Sequence, residues 1–135
     1  MESLKCKIKI SILWISFAVC SSAAMIIWFI EPGILEQIIK TGALGNEKLT
    51  EGTILSFAFW WIIPLSMALL TQILKWSLNH WFNLILGVIC VLGIIFYFIS
   101  NLLAGWFTVA NFLILLFMFV ISVLIDWYGW KLPKE

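Results

Sequence analysis

Four runs of about twenty apolar residues, each without lysine or arginine, restrict this chain more than any other feature: residues 10–30, 54–74, 82–103 and 107–127. At about 1.5 Å per residue a helix of that length crosses the hydrocarbon core of a bilayer, roughly 30 Å thick. Backbone amides find no water there, so the runs must satisfy themselves as helices. The composition agrees, being 64% hydrophobic and 11% charged, against about 45–50% and 25% in soluble domains. So little polar sequence cannot cover so apolar a core, and lipid has to do so. The expectation is an all-α integral membrane protein, a single domain of four transmembrane helices running up, down, up and down.

Connection lengths and lysines arrange the helices. Residues 31–53 form a long link, 75–81 a short one and 104–106 a minimal turn, which makes the second, third and fourth spans antiparallel neighbours. Lys5, Lys7, Lys9, Lys75, Lys131 and Lys134 fall on one side, whereas Lys40 and Lys48 fall on the other among Glu31, Glu36, Glu47 and Glu51. Lysine-rich short loops stay cytoplasmic, so both termini are expected in the cytoplasm of a multi-pass plasma-membrane protein. In the long link, Ile34, Leu35, Ile38 and Ile39 between Pro32-Gly33 and Gly42 predict an amphipathic helix over 33–41. It suits an anchor at the outer interface, with a lid over the helices as the alternative.

The N-terminus resembles a secretory signal, with Lys5, Lys7 and Lys9 ahead of an apolar run and small residues around Cys20. That run continues to Ile30, so it reads as an uncleaved first helix. Cys6, Cys20 and Cys90 have no paired or metal-ligand spacing, which favours small packing residues over redox centres. Trp14 lies toward the cytoplasmic part of the first span, and the other tryptophans sit near span ends. Trp28, Trp60, Trp61 and Trp106 are expected outside, and Trp76, Trp81, Trp127 and Trp130 inside. Two such girdles match interfacial anchoring, and stacking on a ligand is the rival reading.

Several ordered segments carry a resemblance. They are Lys-Ile-Lys-Ile leading to Leu13-Trp14, Pro32-Gly33 with Gly42, Leu44 and Gly45, and Leu49-Thr50-Glu51-Gly52. Ile63-Pro64, Asn79-His80-Trp81-Phe82-Asn83 before Leu86-Gly87, and Trp127-Tyr128-Gly129-Trp130-Lys131-Leu132-Pro133-Lys134 complete it. Together the chain resembles a family of small bacterial and archaeal membrane proteins known as a domain of unknown function. It departs from that pattern at His80, where Arg is common, and at Gly129, where Ala is. The resemblance implies four membrane helices, and it supplies no catalytic residues.

Ionisable groups deep in a span usually mark transport or catalysis. Here Glu31 ends the first span and Asp126 ends the fourth. Small multidrug transporters of similar size carry their glutamate in mid-helix, so that reading is weakened. Asp126 near a helix C-terminus calls for a cation, and Lys75 is the nearest in sequence logic; Gln72, Asn79, His80 and Asn83 complete an inner polar cluster. A lone loop histidine makes no structural zinc site, and His80 is expected to be solvated. Pro64 kinks the second span, either exposing carbonyls to a ligand or only adjusting packing. Ala18 with Ser22 and Cys20 with Ala24 allow close helix approach, within the protein or in a homodimer. A loose echo between residues 26–30 and 94–99 admits a duplicated hairpin. Asn101 and Asn111 flank the minimal turn at similar depth and are expected to hydrogen-bond, with Ser100 and Thr108 as alternative partners.

No nucleophile set, phosphate loop or carboxylate pair is legible, and the net charge of +1 offers nothing to nucleic acid. The expectation is a non-enzymatic protein with no cofactor and no metal, partnered by lipid and by itself or another membrane protein. The runner-up is a small transporter or channel using Pro64, Ser100, Asn101, Asn111 and the inner cluster.

Overall fold

The structure, a computed structural model, describes residues 2–44, 47–105 and 108–134. Trp106 and Phe107, an expected anchor and the expected start of the fourth span, lie outside that set. The elements are α1 (Glu2–Ile30), α2 (Ile34–Thr41), β1 (Ala43–Leu44), β2 (Glu47–Lys48), α3 (Glu51–Ile73), α4 (Trp76–Leu103) and α5 (Val109–Trp130). α1, α3, α4 and α5 are long and apolar enough to cross a membrane.

The helices overrun the apolar runs because charge does not stop a helix; only caps and breakers do. α1 therefore begins in its lysine-bearing turn, and α4 begins at Trp76, which reduces the expected 75–81 link to Leu74 and Lys75. Thr50 caps α3 and Thr108 caps α5, each hydroxyl accepting from the backbone N–H three residues on. α3 runs unbroken through Pro64.

Each long helix buries one stripe. In α1 it is Lys7, Ile10, Ser11, Trp14, Phe17, Ala18 and Ser21, and in α5 it is Asn111, Leu115, Met118, Ile121, Ser122, Ile125 and Gly129. Steps of three and four residues keep such a stripe on one helical face. α1 packs broadly against α3 and α5, and α5 against α4. The expected close pairing of α3 with α4 is not found: they are joined by the shortest link yet meet only sparsely. The reason is the direction of the α3 stripe, in which Pro64, Met67, Ala68 and Thr71 are buried and Ala68 and Gln72 bond to α1. Trp60 bridges the remaining gap. Its ring stacks on Phe17 at 6.3 Å, and a Cβ placed on Gly93 of α4 would lie 3.2 Å from it. Trp60 is thus a packing residue as well as an exposed one, which the expectation of a simple anchor missed.

The short helix α2 matches the expected amphipathic segment. Gly33 and Gly42 bound it at φ +90° and +61°, the left-handed region open to glycine. Of its apolar stripe only Ile34 is fully buried, while Leu35 is 57% and Ile39 76% exposed beside the exposed Ile30. The helix lies on the edge of the assembly with an apolar side left over, the disposition of an anchor. The two-residue strands after it pair antiparallel, Ala43 with Lys48 and Leu44 with Glu47, a ladder not anticipated from sequence.

Two glycines set the α4–α5 distance. A Cβ on Gly129 would come 3.2 Å from Asn83 Cβ, and one on Gly87 would come 2.0 Å from Asp126 Oδ1. The Asp126 carboxylate therefore occupies the notch that Gly87 leaves. Gly87→Ala is expected to destabilise the protein by about 1–3 kcal/mol, the usual cost of overpacking. Adding Asp126→Ala should recover most of that loss in a detergent unfolding titration; a neutral Gly87→Ala, or a double variant no better than the single, would refute the notch.

Candidate functional site

The amide side chains of the long helices gather at two levels, with mostly apolar packing and the serines Ser21, Ser56 and Ser122 between them. One level lies at the end that carries both termini and the α3–α4 link, here the terminal end. The other lies at the end carrying α2, the loop end.

At the terminal end the problem to be solved is helix termination, since the last carbonyls of a helix have no partner within it. At the end of α3, Asn79 Nδ2 donates to the Thr71 carbonyl at 2.8 Å and Lys7 Nζ to that of Leu74 at 3.4 Å, while Ser11 Oγ adds a bond at 2.8 Å to the Ala68 carbonyl inside the helix. In α5 and the residues after it, Trp76 Nε1 donates to the Leu132 carbonyl at 2.8 Å, and Cys6 Sγ lies 3.5 Å from that of Tyr128. His80 Nδ1 stands 2.8 Å from the Gly129 carbonyl, a contact that requires Nδ1 to carry the proton. The side chains of α1 and α4 thus cap the carbonyls of α3 and α5.

Below these caps Asn79, Asn83 and Thr71, all at 0% exposure, form a closed network. Asn83 Oδ1 accepts from Trp14 Nε1 at 2.7 Å, and Asn83 Nδ2 donates to the Asn79 carbonyl and Asn79 Oδ1 at 2.8 and 2.6 Å. Thr71 Oγ1 sits 3.5 Å from both amide atoms of Asn83. With Gly129 pressed on Asn83 Cβ, a single amide is where α1, α3, α4 and α5 meet.

Trp14, set apart in the sequence from the span-end tryptophans, is completely buried and is a network donor. Several expectations are corrected. His80, expected to be solvated, is half-buried, stacked on Trp76 at 5.3 Å and flanked by Trp81 and Trp130. Gln72 donates to Ser11 Oγ at 2.6 Å rather than joining the asparagines. Lys75 does not pair with Asp126: among the described residues Asp126 Oδ1 is buried without a hydrogen-bond partner, and the described ion pair is Lys40–Glu36 on α2. The α1 Lys9 and the C-terminal Lys131 and Lys134 instead lie over the rings of Tyr128, Trp127 and Trp76.

At the loop end the expected Asn101–Asn111 bond is replaced. Asn111 Nδ2 donates to Glu31 Oε1 at 2.6 Å, and Thr108 Oγ1 donates to the same oxygen at 2.9 Å. Asn101 lies instead beside Tyr97, one turn earlier on α4, and Ser100 is exposed. Thr108 is the N-cap of α5, so the Glu31 carboxylate faces the positive end of that helix. An anion outcompetes a neutral amide for these donors because charge-assisted bonds are about twice as strong.

Between the two levels, next to the loop end, lies a chamber of about 180 Å3 bounded by all four long helices. Trp28, Phe57, Trp60, Tyr97, Leu115 and Met118 form most of its wall. Pro64 borders a separate cleft of similar volume with Phe17, Trp60 and Gly93, whose lining includes neither Asn101 nor Asn111. Among the described residues no three His, Cys, Asp or Glu side chains converge as a metal site.

Replacing Glu31 with Ala, which removes the acceptor, and Asn111 with Leu, singly and together, should give a coupling of about 0.6 kcal/mol and up to about 1.7, the average and maximum for interhelical bonds in membranes. The same cycle at Asn101 and Asn111 should be additive. Coupling at the second pair and none at the first would overturn the arrangement.

Comparison with curated proteins gave no match, and comparison with solved structures gave none. A family model covers residues 3–132, and the chain belongs to the family it describes, a family of unknown function (DUF6326).

Proposed function

We propose that the chain is a multi-pass integral membrane protein of the plasma membrane, an up-down-up-down four-helix bundle that works without catalysis, by packing with itself or with another membrane protein. The observation that carries the membrane reading is the outward surface. The share of buried residues in the apolar stretches runs from 17% in α3 to 33% in α5, and what is left outside is overwhelmingly Leu, Ile, Val, Phe and Trp. Only a hydrocarbon solvent accommodates four such faces in a chain of this size.

The packing reading draws support from a shallow apolar groove between α1 and α5, where Cys20 and Ala23 face Leu113, Ile114, Phe117 and Val120. Small residues on one side and large ones on the other let a further helix approach closely. Conduction draws less support. Ile94, Met67, Phe17 and Met118 are buried between the two polar levels, and the side chains at each level are bonded among themselves.

Orientation follows from the six lysines at the terminal end. Lys134→Cys in a cysteine-free background should react with an impermeant thiol reagent only after the inner face is exposed. Glu36→Cys, on the exposed side of α2, should react in intact cells. The reverse pattern would overturn the orientation. Oxidative crosslinking of membranes holding Cys20 as the sole cysteine should give a covalent dimer if two copies pack through the α1–α5 groove; a monomer alone moves the partner to another protein.

A further inference from the structure

We propose that the chamber between the four helices binds a small organic ammonium carrying a single ring, the ring held among the aromatic side chains and the charge placed at Glu31. Size sets the first limit. About 180 Å3 is close to the roughly 150 Å3 cavity that takes up benzene and below the roughly 300 Å3 where drug-sized sites begin. One ring with a compact substituent fills it.

The walls set the second. Trp28, Phe57, Trp60 and Tyr97 come from three different helices, so aromatic rings line the space on several sides. Aromatic faces attract cations, and substituted ammonium groups above all, because they are weakly hydrated and bring their own apolar surface. The same walls repel an anion.

The roof identifies the charge. One turn nearer the loop end than the wall residues Trp28, Tyr97 and Leu115 come Glu31, just past α1, Asn101 on α4 and Asn111 on α5, so three polar residues follow the wall at that end, with Glu31 also bordering the outer cleft beside α2. The Glu31 carboxylate is within electrostatic reach of the Tyr97 hydroxyl. Asn111 and Thr108 both bond to its Oε1; among the described residues Oε2 accepts no hydrogen bond, and no lysine forms an ion pair with Glu31. The carboxylate is thus aimed by one oxygen and open at the other. A cation above aromatic walls is the complement of that arrangement.

Access follows from the sparse contact between α3 and α4. Trp60, which closes that side, is itself partly exposed, so an amphiphilic cation dissolved in the bilayer reaches the chamber laterally. Only this route rests on the membrane reading; the binding chemistry does not.

The test uses the purified full chain in detergent micelles, titrated with benzyltrimethylammonium and followed by tryptophan fluorescence and calorimetry. Neopentylbenzene, its neutral isostere, and benzoate serve as comparison probes. The cation should bind saturably at one site, and the isostere should bind about tenfold or more weakly, the scale of one lost charge contact; benzoate should not bind. Glu31→Gln, which keeps an acceptor for Asn111 and Thr108, should bring the cation down to the level of the isostere. Leu115→Trp, which fills the chamber, should abolish both. Equal binding of cation and isostere would mark an apolar space for a lipid tail and overturn the proposal, as would no binding of the cation at all. The probe comparison needs the unmodified protein alone, so it stands if Glu31→Gln fails to fold. Reversed thiol labelling with intact cation binding would refute the orientation and leave this site standing.

Discussion

The fold depends on how an apolar medium treats a polar atom. A donor or acceptor left open in hydrocarbon loses its water without compensation, and the penalty, about 1–3 kcal/mol per group in proteins, exceeds what most apolar contacts there return. The bond from the Trp14 indole to the Asn83 amide answers that constraint for four helices together. Because both partners are wholly buried, neither can turn away without stranding the other. Trp14 ties the rotation of α1 to α4, Thr71 ties α3 to the same amide, and Gly129 lets α5 close over it. The carbonyl caps extend the same logic, with the C-terminal ends of α3 and α5 finished by side chains of α1 and α4.

Polarity and packing are therefore divided along the length of the assembly. The terminal end is dense with hydrogen bonds, the buried Asp126 oxygen being its unpartnered exception. At the loop end the Glu31 carboxylate is held by two donors at the start of α5, and a chamber lies next to that end. The loose α3–α4 contact and the chamber are two views of one fact: α3 spends its small inward residues on α1, and large rings reach across to α4.

Much of this was legible in the residues. The apolar runs placed all four long helices, and Gly33 and Gly42 bracketed α2, whereas the caps Thr50 and Thr108 emerged only from the structure. What could not be read was helix rotation. Asn101 and Asn111 have matching depth, but α4 turns Asn101 toward Tyr97 and α5 turns Asn111 toward Glu31. Lys75 and Asp126 suit each other in charge, yet Lys75 ends on the surface while the carboxylate is pressed against a glycine. Trp14 stood apart in the sequence from the span-end tryptophans without a role of its own; the signal for one was Asn79 and Asn83, four apart on a helix that otherwise offered no water. A polar pair at helical spacing in such a helix demands a buried donor, and an indole N–H is one.

The notch at Gly87 also determines how α4 and α5 can move. Two apolar helices packed by interlocking ridges ordinarily have several nearly equivalent alignments one turn apart, and shear along the axis is easy. The Asp126 oxygen fits opposite Gly87 alone, since a slide of one turn would drive it into Asn83 or Cys90. The seam is indexed like a pawl in a single tooth, so α4 and α5 keep one axial register.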